Sequence, residues 1–317
     1  MQQISFRAMG STVNIIVDDD NLAARAALTA ARKTFIRFER ILSRFRPDSE
    51  LNALNRRAGC KPVRVGQTLW HAMRHALAMA RISDGLVTPT IGAALMAAGY
   101  DRDFATLAAI PDAVTDRPPV SVPDWRQVVC DPRRRAIRLP TGMQLDLGGS
   151  AKGWTAALVA RRLGRRFPTL VDAGGDIAVS APQRNGESWP IEVADPRAPD
   201  SGLDLLLIRR GGVATSGIDY RRWQRNGRWL HHLIDPRTGA PAETDLLAAT
   251  VIAPTLPIAE LAVKVILLRG RDDGLRWLNA QPALAALLVT VDGQVIRSPA
   301  FARYRWQPAS GELVIGA

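Results

Sequence analysis

Several absences narrow the reading of this 317-residue sequence. It has only two cysteines, Cys60 and Cys130, and they form no metal-binding or redox spacing. No apolar run approaches the ~20 residues that a membrane-crossing helix requires, so no membrane partner is expected. The opening stretch, "MQQISFRAMGSTVNIIV", lacks the basic segment followed by an apolar core that marks a secretory signal. A reduced, cytoplasmic protein is therefore the expectation. Neither G-x-G-x-x-G nor the phosphate-loop string G-x-x-x-x-G-K-[ST] occurs, and G-x-S-x-G is missing too. No repeat, linker or low-complexity segment interrupts the chain.

Acidic residues are the scarcer charge: 30 against 42 basic ones, for a net charge of +12. That balance suits nucleic acid, an anionic surface or an anionic small substrate. The densest basic knots, "DPRRRAIR" (131–138) and "ARRLGRRF" (160–167), have no interleaved aromatics. A nucleic-acid-binding role rests on charge alone and is disfavoured.

The elements read as a mixture. "STVNIIVDD" alternates as a strand does. Leu28, Ala31, Phe35, Phe38, Leu42 and Phe45 then recur at helical spacing, with Asp20 or Asn21 as cap and Pro47 as stop. A second helix is expected over 67–82, with Leu69, Met73, Leu77 and Ala80 on one face. His71 and His75 lie one turn apart there, a metal-compatible spacing without a third ligand; an exposed helix face is the preferred reading. Residues 101–135 read as loops and short strands, and "AIRLPTGMQLDL" as a hairpin. "PTLVDAGGDIAVSA", "SWPIEVADP" and "LLLIRRGGVATSG" read as strands, 257–269 as a helix, and "LLVTVDGQVI" as a hairpin on Asp292-Gly293. Strands outnumber helices without regular alternation, which favours an α+β fold.

Four glycine-rich patches stand beside Asp, Ser or Thr: "AMGST", "LDLGGSAKG", "VDAGGDIA" and "VATSGIDY". Glycine lets backbone approach a ligand closely, and four such patches point to a backbone-lined pocket. In "LDLGGSAKG", Ser150 is placed to cap a helix starting near Ala151, whose N-terminus favours an anion. Lys152 adds a full charge. Asp146 would repel phosphate and suits a hydroxyl, a ring N–H or a nucleophile needing a base. The alternative for Asp146 and Lys152 is an ion pair that pins the turn. In "HHLIDPRTGAPAE", Asp235 is either a site residue or the start of an Asx-turn.

Taken in order, "MGST", "FRPDSELNALN", "DLGGSAKG", "DAGGDI", "TSG" and "HHLIDPRTG" resemble the ApbE-type family of FAD:protein FMN transferases. The likeness runs from about residue 5 to 302 and implies one large α+β, T-fold-like domain over 1–317. It implies a cleft that takes FAD as substrate. There a threonine or serine of a target flavoprotein attacks the FMN phosphate, AMP leaves, and Mg2+ assists. Carried over by residue, Met9 and Gly10 lie against flavin, and Phe45 stands where a stacking tyrosine is usual. Leu86, Val87 and Thr88 come from "GLVTPT", which departs from the family's G-x-F-D-P-T. Asp146, Lys152 and His232 are the implied catalytic groups. Ser216, Gly217, Leu233, Ile234 and Asp235 complete the flavin pocket. Gly149 and Glu260 are the implied metal ligands. At the second helical metal position, however, stands Lys264, which has donors and no acceptor. It reads either as a surface partner of Glu260 or as an ammonium in the metal's place. That departure raises a second reading, an FAD-binding paralogue with weak or no transferase activity.

Overall fold

The structure, a computed structural model, describes residues 1–108 and 118–307. The segment 109–117, part of the stretch expected as loops and short strands, lies outside the described residues.

An eight-stranded sheet organises the chain. Its strands are β1 (Gln2–Ala8), β2 (Ser11–Val17), β3 (Thr169–Ala173), β4 (Asp176–Val179), β5 (Gly211–Gly217), β6 (Leu246–Ala253), β7 (Ala285–Thr290) and β8 (Val295–Arg297). They lie side by side in chain order, every neighbouring pair antiparallel. The expectation of an α+β fold built on an antiparallel sheet is met. β1 escaped the sequence reading, because its polar residues alternate with little apolar content (QQISFRA).

Of the longer helices α1 (Leu22–Leu42), α2 (Gln67–Ile82), α3 (Ala151–Leu163), α4 (Leu256–Arg269) and α5 (Arg271–Asn279), all but α2 cover one face of the sheet; α2 packs on α1 and α3 in a second core. Leu28, Phe35, Val159, Val171, Ala214, Val251, Val263 and Ile266 join into the core between helices and sheet. On the opposite face lies a hairpin of Trp189–Asp195 and Ala198–Ile208, whose Trp189, Ile191, Leu206 and Ile208 pack on Val179, Val213, Ile252 and Leu287. β6 is therefore buried on both faces and reads as a continuous apolar run.

Two sequence expectations are corrected here. Phe45 is outside α1, which ends at Leu42 with Ser43 extended. The Ser43 hydroxyl accepts from Phe45 N at 3.2 Å, and Asn52 Nδ2 donates to the carbonyls of Arg44 and Arg46 at 2.7 and 2.8 Å. These bonds turn the chain before Pro47 is reached. Nor does 136–147 form a hairpin. Ala136–Arg138 pairs with Val63–Arg64 and Val129–Asp131, and the chain beyond it runs extended without a ladder. A side chain replaces the ladder: Asn55 accepts from Leu145 N at 2.9 Å and donates to Leu145 O at 3.0 Å. The expected helices over 67–82 and 257–269 and the turn at Asp292-Gly293 are present.

Candidate functional site

The extended run 143–147 delivers Asp146 to the start of α3. Asp146 N donates to Pro89 O at 2.8 Å, and Asp146 Oδ1 accepts from Gly148 N at 2.7 Å. Ser150 occupies the cap position of α3 but caps nothing; its buried hydroxyl turns back to Leu147 O at 3.5 Å. The preceding turn draws it there, since the N–H groups of Ser150 and Ala151 both donate to Leu147 O.

The ion pair weighed for Asp146 and Lys152 does not form. Asp146 Oδ2 instead meets Arg44 Nε at 2.5 Å, both side chains buried. Lys152 Nζ lies 3.0 Å from Asp176 Oδ2 and donates to Gly174 O at 3.1 Å. That carbonyl belongs to the β3–β4 turn, where Gly174 and Gly175 both have positive φ, of 61° and 86°. A side chain at Gly174 would strike Ser11 Cβ, so glycine is required on both counts.

α4 adds the second pair of charges. Glu260 is 1% exposed and its Oε2 has no partner. Lys264 Nζ lies 3.4 Å from Glu260 Oε1 and donates to Glu260 O at 3.2 Å. Burial pushes the Glu260 carboxyl up to about 7, against the pull of Lys264. Gly153 on α3 gives Glu260 its room: a methyl group there would lie 2.5 Å from Oε2. In the turn before α3, Gly149 faces Lys264, with 3.5 Å from a methyl position to Cε. Gly149, Lys152, Asp176, Glu260 and Lys264 thus form one cluster, where Asp176 and Lys152 both act on the Glu260 charge.

Histidines ring this cluster. His232 is held down to about 3, by burial first and then by Arg221, His231 and Lys264, and its Nδ1 has no partner. His75 is held down to about 4, by burial and then by Lys264. It stacks on Trp154 with ring centroids 6.5 Å apart, its Nε2 unpartnered, so it belongs to the interior and not to an exposed face; His71 is exposed. Both imidazoles are neutral beside a fixed cation.

An aromatic pile forms the other side of the region. Phe45 lies 5.4 Å from Tyr100, which stacks on Trp223 at 5.3 Å. The Arg44 guanidinium sits over Phe45 at 4.1 Å and Tyr100 at 4.8 Å, with one buried Nη2 unpartnered. Met9 and Gly10 make the two-residue turn of the β1–β2 hairpin, with φ of 53° and 72°. Positive φ is costly for methionine, so the turn carries backbone strain at Met9, whose side chain packs against both helical cores. Arg221 Nη2 donates to Gly10 O at 3.4 Å, and His232 N donates to Arg221 O at 3.3 Å, joining this turn to the His232 loop.

The remaining sequence candidates divide. Ser216 and Gly217 end β5, half-buried. Leu233 and Ile234 are core residues of two clusters. Asp235 adopts the Asx-turn, accepting from Arg237 N at 2.9 Å, and both its oxygens are held by the Arg237 guanidinium. Leu86 and Val87 pack on Met79, Leu261 and Val265. Thr88 caps the short helix Pro89–Ile91 through Thr90 N. Leu86 and Thr88 also line a groove with Trp125, Arg126, Arg237 and Arg269. The sequence reading missed Arg44, Tyr100, Asp176, Arg221 and Trp223. Arg44 and Asp176 stand inside quoted strings or beside them, so local signal existed; Tyr100 and Trp223 carry none, because only folding stacks them.

The chain can now be set against known proteins. Residues 9–288 match the model of the ApbE family. The FAD:protein FMN transferase of Treponema pallidum is 33% identical over 278 residues, covering 81% of this chain and 75% of that protein. The FAD:protein FMN transferase of Klebsiella pneumoniae is 28% identical over 316 residues, 97% and 95% of the two chains. Among solved structures, the ApbE protein of Thermotoga maritima superposes with a TM-score of 0.83 at 24% identity, over 96% of this chain and 99% of that one. The flavin transferase ApbE of Vibrio cholerae gives 0.77 at 22% identity over 96% and 99%. With a family match spanning most of the sequence and a shared fold, the chain belongs to the ApbE family.

Proposed function

We propose that this chain is an FAD:protein FMN transferase. It binds FAD and moves FMN to a threonine or serine hydroxyl of a target flavoprotein. In the transfer, the acceptor oxygen bonds to the FMN phosphorus, the pyrophosphate P–O bond breaks, and AMP leaves with the bridging oxygen. The hydroxyl proton passes to a base. The observation that carries the reading is the convergence of Lys152, Lys264 and Arg221 with His232 beside a glycine-opened turn, a set suited to a pyrophosphate. Lys152 neutralises phosphate charge and holds the leaving end in place. Neutral His232 is in the form that accepts a proton, and phosphate charge beside it raises its basicity. Asp146, fixed by Arg44, orients polar groups of the ligand, and Phe45, backed by the buried Tyr100, offers a ring for flavin stacking. Met9 and Gly10 are joined to the His232 loop through Arg221, which supports their assignment to the flavin end; Ser216, Gly217, Leu233, Ile234 and Asp235 are assigned there by the resemblance.

The resemblance also implies magnesium, and the residues present do not fit it. Glu260 offers one unpartnered carboxylate oxygen, but a lysine ammonium sits on the other. Among the described residues no three His, Cys, Asp or Glu converge as a metal site. No step of the transfer is routed through a metal.

The test is incubation with FAD and a candidate target. A target mass increased by one FMN, with stoichiometric AMP, supports the reading; FAD binding with neither product leaves the second reading. That reading, an FAD-binding paralogue with weak or no transfer, is favoured by the Glu260–Lys264 pair alone.

A further inference from the structure

Lys264 is the feature of this site that the family resemblance does not absorb. Its side chain is 15% exposed, too buried for an incidental surface lysine. Three constraints hold it. Glu260 Oε1 and the Glu260 carbonyl bind its ammonium at 3.4 and 3.2 Å, and its Cε lies over Gly149. Glu260 in turn is fixed under the first turn of α3 by the missing side chain of Gly153. The ammonium therefore sits between the α3 turn and the α4 carboxylate, where Gly149 and Glu260 were expected to share a divalent ion. Lys152 supplies a second cation of the same cluster, balanced by Asp176. A divalent ion entering here would meet two ammonium groups and find one unpartnered oxygen of Glu260, Oε2, whose fellow oxygen already holds Lys264. Magnesium demands near-octahedral oxygen coordination, whereas an ammonium needs only acceptors within hydrogen-bond reach. An anionic ligand places such acceptors there without further cost in ligand geometry.

We propose that the Lys264 ammonium, anchored by Glu260 and Gly149, is the built-in cation of this site, so that the protein holds the pyrophosphate of a dinucleotide with its own side chains and without a divalent metal. This rests on the flavin-nucleotide reading above for the identity of the ligand, but its metal half does not.

Two measurements test the halves separately. The first uses no nucleotide: Mn2+ is titrated into the ligand-free protein and followed by electron paramagnetic resonance. Wild-type protein should leave the Mn2+ free up to millimolar concentration, while Glu260→Asp combined with Lys264→Thr should take up one ion. The second follows protein fluorescence during FAD titration. Wild-type affinity should change less than twofold between EDTA and millimolar Mg2+. Lys264→Met should weaken FAD by tenfold or more and riboflavin, which has no phosphate, by less than threefold. Uptake of Mn2+ by the wild type that Glu260→Gln abolishes would overturn the proposal. So would FAD binding that EDTA weakens tenfold and Mg2+ restores, and that comparison needs no variant. Absence of any FAD binding would overturn the flavin reading instead, with the Mn2+ titration still deciding whether this site takes a metal.

Discussion

At the scale of single residues, the site depends on charges that are buried in pairs. Arg44 and Asp146 are about equally hidden and share a 2.5 Å contact. Removing one partner strands the other, which costs about 3–5 kcal/mol when the pair is dry. Arg44→Met is expected to lower the unfolding free energy by at least about 2 kcal/mol, the Gly148 bond offsetting part of the loss. Urea unfolding reads this directly, and an unchanged midpoint would mean that the pair is solvated. Lys152 is also paired, with Asp176 and the Gly174 carbonyl, but its ammonium stands beside the glycine turn proposed to face the ligand. Lys152→Ala should weaken FAD by one to two decades, the worth of a charge-assisted hydrogen bond at about 1.5–3 kcal/mol. The change also strands the buried Asp176 carboxylate, so some loss of stability accompanies it. Titration by flavin fluorescence, with circular dichroism as the folding control, decides between a binding lysine and a merely structural one.

At the scale of elements, two close approaches set where the side chains go. The first is between α3 and α4. Alanine would raise the intrinsic helix propensity at Gly153 by about 1 kcal/mol. Its methyl would nonetheless lie 2.5 Å from Glu260 Oε2, and over-packing of that kind costs about 1–3 kcal/mol. The contact should win, so Gly153→Ala is expected to destabilise despite the better helix former. In Gly153→Ala with Glu260→Ala the clash is gone, and the two changes should be non-additive by more than 0.5 kcal/mol. A double-mutant cycle in urea measures that coupling; simple additivity would show that the helices shift apart freely. The second approach is the Asn55 clasp on Leu145. Asn55→Leu removes both bonds and leaves a buried N–H and carbonyl unsatisfied, at about 1–3 kcal/mol each. It should destabilise by at least about 2 kcal/mol and also loosen Asp146, one residue on. An FAD affinity unchanged in a folded Asn55→Leu protein would detach the clasp from the site.

At the scale of the whole molecule, burial of neutral histidines ties stability to pH. His75 and His232 are held down to about 4 and 3, below the ordinary imidazole value near 6.5. The unfolded chain thus binds protons that the folded protein refuses. The histidine contribution is constant well above pH 6.5 and is lost as pH falls from there towards each folded value, with a slope of about 1.4 kcal/mol per pH unit for each such group. The Glu260 carboxyl, raised to about 7, works in the opposite direction over part of that window. The histidine share is isolated by comparison: between pH 6 and 5, His75→Phe should lose stability more slowly than wild type by about 1.4 kcal/mol per pH unit. Parallel slopes in the two proteins would mean that His75 is protonated in the folded state.

Much of this architecture is legible locally, and the legible parts share a cause. α2 was readable because its apolar residues repeat at helical spacing, and α4 because Pro257 marks the first turn of a long apolar run. The hairpin at Asp292-Gly293 was readable because its turn residues fix the register. Met9-Gly10 and "DAGGDI" were readable as tight turns because backbone with positive φ favours glycine in the sequence itself. What the sequence left open was pairing. It could name Asp146 and Lys152 but not their partners Arg44 and Asp176, which come from other elements. It extended α1 to Phe45, because the bonds from Ser43 and Asn52 that end the helix are not periodic. It expected His75 at the surface, because burial by Trp154 is invisible from one helix. A sequence by itself determines which residues have the chemistry and which stretches have a fixed local geometry. Only the packed structure decided which charges meet, because an ion pair or an aromatic stack is a contact between segments whose approach is set by the core.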